Sequence, residues 1–180
     1  MVSPRLVAPM TAALALIGSL ANAQPGPASV PERAAGFVEV TPHVSFGGRG
    51  TSGMGAAIGL RIRPRLTVEL DAEARLADSA HLGRTNANLL IDLPVAGRWQ
   101  PYVVVGAGLE TYRGFHYMET VGTFGYDSSG LVGSVGAGLR LPIGERWAWR
   151  GDVRFSAGIS EAVPDTLRIF QGVTFAVGPR

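Results

Sequence analysis

The segment spanning residues 65–76, RLTVELDAEARL, most constrains what this chain can fold into. Leu66, Val68, Leu70, Ala72, Ala74 and Leu76 alternate there with Thr67, Glu69, Asp71, Glu73 and Arg75. Successive side chains of a strand point to opposite faces. As a strand, this segment has one apolar face and one almost wholly charged face. Ala, Leu, Glu and Arg also favour helix, and Glu69 with Glu73, like Asp71 with Arg75, share helical spacing. Both readings stand on this segment alone. The neighbouring segments favour strand, because they repeat the two-residue period with poorer helix formers.

That period recurs at residues 37–46, 54–62, 85–93, 101–112, 130–141, 147–159 and 167–177, which makes eight candidate strands. Their length of about ten residues suits tilted strands crossing a membrane. Pro42 predicts a bulge or bend in the first, since it cannot donate to a ladder. Gln171 falls on the apolar side of the last. Short connections carry Pro64, then Pro94 and Pro101, then Pro142. The alternate connections, at 47–53, 77–84, 113–129 and 160–166, read as longer loops richer in Gly, Ser and Asp. The longest, 113–129, holds Phe115, His116, Tyr117, Phe124 and Tyr126 and is a candidate surface for an unknown ligand.

The polar face collects Glu39, Glu69, Asp71, Glu73, Asp92, Glu110 and Asp152 with Arg61, Arg75, Arg140, Arg150, Arg154 and Arg168. The signs nearly balance, as an interior ion-pair network requires, because an unpaired buried charge is costly. Gly106, Gly108, Gly136 and Gly138 share that face and leave room for guanidinium groups. Trp99, Tyr102, Trp147 and Trp149 lie toward the proline-turn rim, and Phe46 and Tyr112 toward the other. Two aromatic girdles of this kind flank the apolar band of membrane barrels. These features favour charges inside and apolar side chains toward lipid. A soluble lipocalin-like barrel, with the faces reversed, is the alternative.

The formal net charge of +2 gives no electrostatic case for nucleic acid. All 16 basic residues are Arg, and cysteine is absent, which removes disulfides, thiolate nucleophiles and cysteine metal sites. Arg5, the apolar run 6–20 and Ala21-Asn22-Ala23 resemble a secretory signal peptide over residues 1–23. Pro9 and the shortness of the run speak against a membrane anchor. Residues 24–35 then form a flexible leader and 36–180 the barrel.

Two segments carry a family likeness: Pro101-Tyr102-Val103-Val104-Val105-Gly106-Ala107-Gly108-Leu109, and Val135-Gly136-Ala137-Gly138-Leu139-Arg140 with Arg146-Trp147 and Arg150-Gly151-Asp152-Val153-Arg154. With them, residues 36–178 resemble the small eight-stranded outer-membrane barrels of the OmpA/OmpX type. The resemblance implies an all-β, antiparallel, up-and-down transmembrane barrel in a Gram-negative outer membrane, with periplasmic termini and no cofactor. It implies lipid and the barrel assembly machinery as partners. Such barrels commonly end on an aromatic residue, whereas here Phe175 is followed by Ala176, Val177, Gly178, Pro179 and Arg180. Nothing resembles a peptidoglycan-binding domain.

Sharper chemistry is weakly supported. The paired Val-Gly-Ala-Gly-Leu segments lack the helix a phosphate loop needs. His43 and Ser45 share a strand face near Glu39, but side chains two apart on a strand sit about 7 Å apart, long for a nucleophile and its base. Glu69, Asp71 and Glu73 suit pairing with Arg better than a cation. The sequence thus predicts a non-enzymatic barrel with a largely plugged interior and a structural or surface-interaction role, without catalytic or metal-binding residues. A lipid A-modifying enzyme and a narrow pore are the alternatives.

Overall fold

A computed structural model of the chain describes residues 35–47, 51–77, 80–95, 98–118, 122–159 and 165–178, with side chains undescribed at 77, 80 and 115–126. The expected signal peptide, residues 1–23, and leader, residues 24–35, lie outside them except for Ala35. Eight strands follow in order: β1 (Val38–Gly47), β2 (Ser52–Arg63), β3 (Leu66–Ala77), β4 (Ala80–Asp92), β5 (Gln100–Met118), β6 (Gly122–Pro142), β7 (Trp147–Gly158) and β8 (Thr166–Val177). Each pairs antiparallel with its sequence neighbour, and β1 pairs with β8 to close the barrel. Closure leaves no sheet edge unpaired.

The helical alternative for 65–76 fails, because β3 is laddered on both sides, with Leu70 opposite Ile58 of β2 and Ala87 of β4. Its faces are inverted relative to a soluble protein. Leu70 is 61% exposed on the outer wall, and Glu69 beside it is 2% exposed in the interior. Ile91 and Val153 also face outward, while Arg154 is buried. The soluble lipocalin-like arrangement, with apolar side chains meeting in the centre, is therefore not the one formed. The largest fully buried side chains are mainly arginines, joined by Tyr102, Phe170, Leu90, Val104 and Val132. Eight strands enclose about the space that side chains can fill.

Three expectations are corrected. The segment 113–129 is not a long loop: β5 and β6 continue as a paired hairpin to Met118 opposite Gly122. Its Gly, Ser and Asp residues mimic loop composition, yet the ladder satisfies its backbone groups. Similarly, 77–84 is mostly strand, since β4 starts at Ala80. Pro42 causes no bulge. Pairing of β1 with β8 skips Thr41 and Pro42 and resumes at His43 and Gly172 in the same register, so the missing donor interrupts the ladder without shifting it. The irregularity falls instead between Arg61 and Arg63, opposite Thr67 and Leu66 at the Pro64 turn. Gln171 keeps its outward position.

Close approach between neighbouring strands makes glycine obligatory at some positions. A Cβ on Gly108 would meet the Thr85 carbonyl oxygen and the Asn86 side chain at 2.1 Å, whereas one on Gly133 would meet nothing within 4 Å. Gly108→Ala is expected to destabilise the barrel by about 1–3 kcal/mol through overpacking. Gly133→Ala is expected to stay within about 0.5 kcal/mol of the parent. Urea unfolding of the two variants in micelles checks both, and equal midpoints would contradict the packing described.

Candidate functional site

The barrel interior is the site, and two-residue periodicity on eight strands builds it. Among described residues it holds seven carboxylates and seven guanidinium groups, which fall into three groups, each neutral by itself. The first lies toward the Pro64 turn. Arg61 donates to Asp92 at 2.7 Å, to Glu39 at 3.0 Å and to the Pro64 carbonyl at 2.7 Å. Arg140 donates to Asp92 at 2.7 Å and lies 3.3 Å from Glu39.

The second group joins Glu69 and Asp152 to Arg150 and Arg154. Arg150 bonds Glu69, and Arg154 grips both Asp152 oxygens at 2.8 and 3.0 Å. The Tyr102 hydroxyl donates to Asp152 at 2.6 Å and accepts from Arg150 Nε at 2.8 Å. Asn88 donates to Glu69 at 3.2 Å. The Phe170 ring underlies both guanidiniums, with their carbons 4.8 and 4.9 Å from its centroid. Such cation–π contacts attract the buried guanidiniums to the ring.

The third group joins Asp71, Glu73 and Glu110 to Arg75, Arg84 and Arg168. Arg168 bonds Glu73 and reaches Asp71 at 3.5 Å. Arg75 lies 3.0 Å from Glu73 and 3.3 Å from Glu110. Arg84 donates to Glu110 from Nε at 2.7 Å, and further to Ser156 at 2.9 Å and Thr166 at 3.1 Å. His43 stacks on Phe170 with centroids 4.2 Å apart, its Nε2 3.5 Å from Asp71 and 3.6 Å from Glu73.

The thirteen network residues read from the sequence all point into this interior, with Asp92 partly open at a rim. Arg84 and Tyr102 of the interior were misassigned. Arg84 fell in a stretch read as loop, although it shares parity with Asn86 and Asn88. Tyr102, read as part of a girdle, is 1% exposed and belongs to the interior. Its parity with Val104, Gly106, Gly108 and Glu110 carried that signal, and its hydroxyl needs the partner Asp152 supplies. Of the other girdle residues, Trp99 meets Trp149 edge-on at 6.4 Å and Trp147 packs on Phe175 at 4.5 Å. Phe46 is exposed near the opposite rim and Tyr112 half-buried. The side chains of Phe115, His116, Tyr117, Phe124 and Tyr126 lie outside the described ones.

Two chemical alternatives meet this geometry poorly. Ser45 donates its hydroxyl to Glu73 at 2.7 Å, so it does not form a pair with His43, and both are sealed in the interior. Of the three acids weighed as a cation site, Glu69 turns to Arg150. His43, Asp71 and Glu73 do bring donor atoms within 4.8 Å of one another, but Arg168 already occupies Glu73 and Arg154 stands 3.7 Å from Asp71.

No protein-family model matches the chain, and no curated protein does. Solved structures do. The N-terminal β-barrel domain of Pseudomonas aeruginosa OprF is similar with a TM-score of 0.65 and 16% identity, covering 81% of this chain and 100% of that one. This chain has the fold of the small outer-membrane barrels. Neisserial surface protein A follows at TM-score 0.59 and 12% identity, covering 77% of this chain and 95% of that one. Ail, the attachment invasion locus protein of Yersinia pestis, gives 0.58 and 11%, covering 79% and 99%. At such identities the likeness speaks for the fold alone.

Neutrality of each group generates a test. Glu69→Gln leaves Arg150 and Arg154 with one carboxylate, Asp152, in their group, and is expected to cost about 3–5 kcal/mol. Glu69→Leu combined with Arg150→Leu restores balance around Arg154 and Asp152 and is expected to cost much less. Equilibrium unfolding in detergent micelles measures both, and a double variant no better than the single one would contradict the grouping.

Proposed function

We propose that this chain is a non-enzymatic outer-membrane barrel protein, spanning the membrane through residues 36–180 after loss of a signal peptide at 1–23 and carrying a flexible leader at 24–35. The carrying observation is the inversion: a closed ladder with apolar side chains outside and ion pairs inside. Hydrocarbon tolerates that exterior, and no unpaired sheet edge stands in its way. Aromatic residues near both rims support the same placement.

Its role in this reading is structural or one of surface interaction, and its lumen is largely plugged. The plug is the network itself, since guanidinium and carboxylate groups from facing strands meet in the centre. Lipid and the barrel assembly machinery are its partners, and nucleic acid and cofactors have no part in it. The hairpin of β5 and β6, which runs well beyond its neighbours, is the candidate contact surface. Arg113 and Asp127 form an exposed ion pair on it, at 3.0 Å. A barrel of this shape, Ail of Yersinia pestis, has been solved in complex with the heparin analogue sucrose octasulfate, which supports a surface role for such folds.

Cell fractionation with a heat-dependent gel shift tests the placement. The chain is expected in the outer-membrane fraction, migrating faster unheated than heated, and release with soluble periplasm would overturn it. Planar-bilayer recording tests the plug: no steady open level is expected, and sustained conductance would exclude a filled lumen.

A further inference from the structure

Gln171 stands in the middle of β8 and points outward, between Ile169 and Val173 on the same face. Its carboxamide makes no hydrogen bond to any described residue. In lipid, an amide without a partner is costly. The two flanks of this residue differ in shape. On one side Gly151 of β7 pairs with Gln171, and Leu139 of β6 pairs with Gly151. Here the wall dips into a groove of about 420 Å³ lined by Val103, Leu139, Trp149, Gly151 and Val153. On the other side Val44 of β1 pairs with Gln171, and Met54 of β2 pairs with Val44. Met54 is 71% exposed, so this flank is a ridge.

A carboxamide carries donor and acceptor side by side and is therefore complementary to itself across a two-fold axis. An axis along the membrane normal beside Gln171 turns the ridge flank of each copy toward the grooved flank of the other. The Trp149 ring lies over Gly151 and gives the groove an apolar floor, and side-chain amides hydrogen-bond across contacts between membrane surfaces. We infer that two copies of this chain pair in the membrane about Gln171, each carboxamide donating to and accepting from the other, with the β1–β2 ridge of one copy at the β6–β7 groove of its partner. An acyl chain fills the groove equally well but gives the amide no partner. The inference rests on the membrane placement proposed above.

The chain has no cysteine, so single-cysteine variants report cleanly. Ile169→Cys, an outward position beside Gln171 that keeps the carboxamide, is compared with Ala87→Cys, an outward position on β4 across the barrel, in full-length protein folded into dilute phosphatidylcholine vesicles under mild oxidation. Ile169→Cys is expected to cross-link about tenfold faster, the rate ratio of a specific contact over random collision at a modest association free energy. Gln171→Leu, counted by single-molecule photobleaching, is expected to be monomeric at densities where the parent is dimeric. Equal cross-linking rates, an unchanged dimer fraction in Gln171→Leu, or a monomeric parent carrying tightly bound lipid would each overturn the pairing. The gel shift of each variant separates the two readings. A parent chain that never inserts overturns the membrane placement and the dimer together, whereas inserted variants with equal rates overturn the dimer alone.

Discussion

Guanidinium–carboxylate pairing inside a closed ladder is the interaction on which the rest of this structure depends. With the apolar faces turned outward, the polar faces can meet only one another. The chain answers with three groups of equal positive and negative charge, linked where Arg154 comes within 3.7 Å of Asp71. Such pairs add little stability over an apolar filling, but an unmatched member is heavily penalised. Their main effect is on specificity. A slip of one residue in any strand sends its charges to the outer wall and its leucines inward. The register is therefore held by what misplacement would cost.

Space for these large groups comes from the strands that face them. Gly136 of β6 lies against Arg154, where a Cβ would meet the Val153 carbonyl at 2.3 Å and Arg154 Cγ at 3.0 Å. Gly53 does the same for Arg75, whose Cγ a Cβ would meet at 2.3 Å. Long arginines and bare backbone thus alternate around the wall. Any side chain at these glycines competes with a guanidinium for the position that satisfies its carboxylate, so packing and electrostatics are not separable here.

The sequence carried the faces well and the partners poorly. Strict alternation from Leu66 to Leu76 is enough to divide β3 into inside and outside, and the same test works on the other strands. It failed where a second signal overrode parity. Tyr102 was assigned by its closeness to a rim, and Arg84 was lost because Gly, Ser and Asp nearby suggested a loop. Parity also cannot say which arginine meets which acid. Glu69 takes Arg150 and Arg154, 81 and 85 residues away, and that choice depends on barrel closure and stagger. Pro42 was misjudged for a related reason. A missing donor disrupts one ladder locally, and pairing on the β2 side and beyond is sufficient to keep the register.

The exclusive use of arginine among the basic residues acquires a structural meaning in this interior. A guanidinium offers five donors in a rigid fork and keeps its charge under any ordinary condition, whereas an ammonium is a single point that can lose its proton when buried. Arg84 uses the fork to reach from β4 to Glu110 on β5, Ser156 on β7 and Thr166 on β8. Arg61 on β2 holds Glu39 on β1, Asp92 on β4 and the Pro64 turn at once. Beyond their ladder neighbours these arginines brace the lumen, joining β4 to β7 and β8, and β2 to β4, which share no ladder. Lysine at the same positions would neutralise charge without spanning the gap. A lumen braced in this way is committed to holding the barrel shape, which leaves the extended β5–β6 hairpin and the outer wall around Gln171 as the surfaces free to engage something else.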